Sequence, residues 1–148
     1  MSRSTFLRLL VVALPLLLPP ATARGEDWPQ LEPAAQSLVR LDSLAGQLAA
    51  GIAQQVEERG LASDDSREEI AVATARSLHR ATTCLKRRFF DGAEPEELVD
   101  RIVELDALAE RVRSAGAKIG LYGYLREKLA AYLNERDRLK RLYGLDQR

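Results

Sequence analysis

Apolar residues recur at steps of three and four in four successive runs of this chain, and glycines, prolines and short acidic clusters separate the runs. That spacing keeps one side of an α-helix apolar. No stretch of useful length alternates apolar and polar residues as a half-buried strand does, so an all-α fold is predicted. In the first run Leu38, Leu41, Ala45, Leu48, Ile52 and Val56 share a face, from a start at Pro33 to a stop at Gly60. Proline suits a first helical turn and glycine the position just past a last one. The second run extends from Ser66, spaced from Glu69 as in a capping box, to Asp91-Gly92, with Ile70, Thr74, Leu78, Ala81, Leu85 and Phe89 inward. Pro95 opens the third, where Glu94, Glu96 and Glu97 sit at the end at which the helix dipole favours acids; its stripe is Leu98, Ile102, Leu105, Ala109 and Val112.

Gly116, Gly120 and Gly123 then interrupt the pattern, before a fourth helix over 121–143 that directs Leu125, Leu129, Tyr132, Leu139 and Tyr143 inward. Each interior glycine costs a helix about 1 kcal/mol relative to alanine. A break is therefore favoured, giving an up-down-up-down four-helix bundle over 33–143 with 24–32 as an extended lead-in and 144–148 as a tail. The alternative is a long helical hairpin, in which the third helix continues into the fourth and two copies dimerise to bury the exposed face.

Residues 1–23 read as a cleaved export signal. Arg3 and Arg8 make a basic start, 9–18 is apolar apart from Pro15, and Ala21-Thr22-Ala23 supplies small residues for cleavage. The apolar run is shorter than the roughly 20 residues of a membrane-spanning helix, and Pro15, Pro19 and Pro20 would break one. The expectation is a periplasmic or secreted bacterial protein with no integral membrane segment in its mature chain. Ser4 occupies the place of the second arginine in a twin-arginine motif, which points to the general secretory route. Lys plus Arg (22) balance Asp plus Glu (22) and the two are intermixed. Nucleic acid, which requires a basic face, is not an expected partner.

Candidate chemistry is sparse. Cys84 is the single cysteine, so no intrachain disulfide forms; the thiol either packs as a small hydrophobe or joins two chains of a homodimer. His79 and Cys84 project from different sides of the second helix and cannot chelate one metal together without a partner chain. The sole methionine is Met1 and no Cys-x-x-Cys-His motif occurs, so neither haem nor any other cofactor is expected. The glycines at 116, 120 and 123 lack the strand and the Gly-Lys-Ser/Thr ending of a phosphate loop. Trp28, in the lead-in, is expected to pack on the domain. The inward charges are the feature of interest. Arg136 falls in the middle of the fourth apolar stripe and Arg88 at the edge of the second, both toward the end of the bundle that holds Asp42, Glu94 and Glu97. An ion-pair cluster closing that end is predicted; the alternative is a small-anion pocket held by the two guanidiniums.

Arg80-Ala81-Thr82 in the second helix is similar to a short run in secreted chorismate mutases, a resemblance that covers those few residues. It implies an isomerase-type pocket for a small acid, lined by arginine and lysine. The family has a glutamate four residues beyond the threonine where this chain has Lys86, and Arg40 falls well off its own apolar stripe. The expected function is therefore a non-enzymatic adaptor, accessory or structural bundle acting on an unidentified protein partner, with a small-anion-binding or isomerase-type enzyme built on Arg88 and Arg136 as the alternative.

Overall fold

The computed structural model describes residues 31–60 and 66–146. These form a helical bundle of four α-helices: α1 (Leu31–Glu58), α2 (Ser66–Phe90), α3 (Pro95–Ile119) and α4 (Gly123–Leu142). The proposed leader, Trp28, Asp64-Asp65 and the side chain of Ser66 lie outside the described residues. α1 begins at Leu31, two residues before Pro33, so the last positions of the expected lead-in are already helical. α1 packs on both α2 and α4, α2 also packs on α3, and α3 and α4 touch only sparsely.

Both Leu98 to Val112 on α3 and Leu38 to Val56 on α1 bury the stripes that the spacing predicts. α2 departs from its predicted stripe. Its buried line is Ala71, Ala75, Leu78, Thr82 and Leu85, while Ile70 is 55% exposed. Alanines allow helices to approach closely, and that advantage outweighs the greater apolar area of Ile70 one position away. In α4 Leu125, Leu129, Tyr132 and Leu139 are buried and Tyr143 is half-buried against the core.

The glycines divide into two uses. Gly120 ends α3 in the left-handed region (φ 64°), so the helix stops there and the continuous-hairpin alternative is excluded. Gly116, by contrast, lies inside α3 and is buried. A Cβ there would stand 2.6 Å from Leu121 Cδ1, so the missing side chain makes room for the turn residue that follows. The expected 144–148 tail begins as a helix cap. Gly144 (φ 66°) lets Leu145 N–H bond to Lys140 O at 2.9 Å, and Leu145 packs on the core.

Candidate functional site

The single cluster expected at one end of the bundle is three clusters. In the first, Arg88 Nε and Nη2 donate to the two oxygens of Glu97 at 2.8 and 2.7 Å, and Arg101 Nε donates to the same carboxylate at 3.0 Å. This fork-on-fork pairing joins the end of α2 to the start of α3. Hydrogen bonds from Arg88 and then Arg101 lower the Glu97 pKa to about 2. Arg101 also reaches Cys84 Sγ at 3.5 Å, so α3 supplies a cation beside the thiol.

In the second, Arg136 is turned into the seam between α3 and α4. Its Nη1 lies 3.1 Å from Asp106 Oδ1 and 3.3 Å from Glu110 Oε1, and its Nη2 lies 2.8 Å from Asp137 Oδ1. Burial works against the charge, but the carboxylates of Asp137, Asp106 and Glu110 outweigh it and raise the guanidinium pKa. Lys140 extends the row with a 3.1 Å pair to Asp106. Arg136 thus meets none of Asp42, Glu94 and Glu97. The reason is axial position: Asp106 and Arg136 are nearly equidistant along the chain from the turn at Gly120, which puts them at one level. Glu94 stays exposed at the N-cap of α3, where its carbonyl accepts from Leu98 N–H.

In the third, Asp42 of α1 receives Lys86 and Thr83 of α2, the latter at 2.6 Å. Burial pushes the Asp42 pKa up, and the donors Lys86 and Thr83 more than reverse it, so the net shift is downward. His79 joins from 3.7 Å. Its ring lies against the bare backbone of Gly46, where an added Cβ would be 3.3 Å from Nε2. A recess on the facing helix supplies this half-buried berth.

Sequence reasoning missed a fourth arrangement, at the far end of α1. Gln55 is fully buried, accepts Tyr122 N–H at 2.8 Å and donates to Gly120 O at 3.1 Å. Arg59 donates to Ile119 O and Gly120 O, and its guanidinium stacks 5.1 Å from the Tyr122 ring centroid. One side chain of α1 and one just past its end therefore satisfy the carbonyls left open at the end of α3 and an amide at the entry to α4. The available signal was a polar residue on the apolar face, between Ile52 and Val56.

Thr82, central to the chorismate mutase resemblance, is spent in the core. It donates to Leu78 O at 2.8 Å and stands 3.0 Å from the buried Tyr132 hydroxyl. Burial, partly opposed by Thr82, raises the Tyr132 pKa to about 12. Lys86 is held by Asp42, Arg80 is exposed, and Arg40 faces Glu135 at 3.8 Å, so these residues do not form one pocket. A 220 Å³ groove opens beside His79, Thr83 and Cys84. Among the described residues no group of three or more His, Cys, Asp or Glu is placed to hold a metal ion, and no helix is long and apolar enough to cross a membrane. The chain matches no protein-family model, no curated protein and no solved structure.

Proposed function

We propose that the chain is exported, loses residues 1–23, and works as a non-enzymatic up-down-up-down bundle that acts through contact with another protein, as an adaptor, accessory or structural component. The observation that carries this reading is the pairing of both candidate guanidiniums, the half-exposed Arg88 and the buried Arg136. Arg136 meets three carboxylates and Arg88 a bidentate one, so the cations on which a small-acid enzyme site would depend are matched from within the fold. Phe90, 59% exposed and set edge-on to Phe89 at the end of α2, offers an aromatic anchor of the kind enriched at protein interfaces.

The test is photo-crosslinking in the native cell from Phe90 and from the exposed Val103 of α3, combined with N-terminal sequencing of the recovered chain. A mature start at Arg24 in the periplasm or medium, with a discrete crosslink to one other polypeptide, supports the proposal. Intact Met1 in a soluble cytoplasmic fraction overturns the export half. Thermal stabilisation of wild type by small carboxylates, lost in Arg136→Leu, overturns the non-enzymatic half.

A further inference from the structure

One groove differs from the paired surfaces above. It runs between α2 and α3, has a volume of about 250 Å³, and is lined by Ile70 and Thr74 from one helix and Arg111, Ser114, Ala115 and Lys118 from the other. Arg67 also borders it. Its floor is apolar: Ala115 is buried and the Ile70 side chain lies open beside it.

The rim carries positive charge that the fold does not match. Arg101 and Arg113 on the same helix have carboxylates at 3.0 and 2.5 Å. Arg111 and Lys118 have none among the described residues, and the sequence explains the difference. Their neighbours three and four positions away are Ala107, Leu108, Ser114, Ala115, Leu121 and Tyr122, so no acid on the helix can reach them. From residue 111 to residue 126 the chain has four cations and no acid. Among the described residues no acid lines the facing wall either.

Arg111 and Lys118 stand two turns apart on one face, about 10 Å along the axis, with the exposed Ser114 hydroxyl between them. Both side chains are long enough to converge above that serine. A guanidinium fork, an ammonium and a hydroxyl are the donors that a phosphate monoester can use fully, since it brings three acceptor oxygens and nearly two negative charges. The apolar floor beside them accepts a hydrocarbon.

We infer that this groove binds a phosphate monoester with a short hydrocarbon substituent, free in solution, with Arg111, Lys118 and Ser114 holding the phosphate and Ile70 and Ala115 the carbon chain. The probe is hexyl phosphate, titrated into the isotope-labelled full chain while the amide resonances of Ile70, Ser114 and Ala115 are followed. Saturable shifts centred on these residues are expected. Arg111→Gln and Lys118→Gln should each weaken binding about fivefold, and the pair together about 25-fold, as loss of one charge-assisted contact at an exposed site implies. Lys118→Arg should retain binding, and Arg113→Gln, whose guanidinium is already held by Glu110, should change it less than about twofold. Undiminished shifts in the Arg111→Gln/Lys118→Gln variant overturn the inference. So does inorganic phosphate or hexanoate binding as tightly as hexyl phosphate. Binding to phosphatidate vesicles with no response to hexyl phosphate also overturns it, because the groove would then dock on a membrane.

Discussion

Replacing Gln55 by alanine isolates the contribution of the clamp on the α3–α4 turn. The substitution removes two hydrogen bonds, from Tyr122 N–H and to Gly120 O, each worth about 1 kcal/mol net. It also removes one buried methylene, worth about 0.8 kcal/mol. A total near 3 kcal/mol follows, which for a helical domain of this size lowers the melting temperature by about 12 °C. Circular dichroism at 222 nm gives the midpoint. Gln55→Glu should fall between wild type and alanine, since a carboxylate still accepts from Tyr122 but cannot donate to Gly120. Arg59→Ala alone leaves Gly120 O with Gln55 as donor, so Gln55→Ala/Arg59→Ala should lose more than the two single changes added together. A Gln55→Ala midpoint within about 3 °C of wild type, or a Gln55→Leu variant more stable than wild type, would refute the reasoning, because the position would then need apolar volume and not a donor and acceptor.

Three further outcomes are expected. Because the Glu97 pKa is depressed to about 2 in the fold, its pairing stabilises fully above the ordinary carboxylate value near 4.5 and is lost as pH falls toward 2; Glu97→Gln should remove that part of the acid sensitivity in melts taken across this window. Arg136→Leu leaves Asp106, Glu110 and Asp137 facing one another and should cost about 1–3 kcal/mol at neutral pH, less in acid as the carboxylates take up protons; an unchanged midpoint at neutral pH counts against the ion-pair role. Gly51→Ala should lower stability by about 1–2 kcal/mol, because its Cβ would press on the fully buried Leu125, whereas Gly123→Ala meets nothing within 4 Å and should be neutral or stabilising; urea midpoints compare the two.

Every residue that periodicity assigned to the stripes of α1 and α3 is buried, because there most large aliphatic side chains are also the inward ones. Periodicity failed on α2, where Ala71, Ala75 and Thr82 are inward and contribute little to a hydrophobic pattern, while Ile70 contributes much and points out. The inward Arg136 and the half-exposed Arg88 at the edge of its stripe were legible for the same reason as the stripes: a helix face is a property of spacing. Their partners required a second coordinate, the height of each residue along the bundle, and height follows from where the turn at Gly120 falls. His79 and Gln55 show what a single helix cannot disclose. The place of the first depends on a missing side chain at Gly46, and the role of the second on a carbonyl 65 positions later and an amide 67 positions later.

The packing of α1 against the last helix as well as the next one sets a condition on how the chain can be completed. Ser37, Gln47 and Gly51 find Glu135, Lys128 and Leu125 only after α4 has been made. Until then the side of α1 that packs on α4 is uncovered. A chain that ends or is cut before Gly123 is accordingly not a smaller bundle but a sticky three-helix remnant. Docking of α4 therefore separates a finished molecule from a target for proteases.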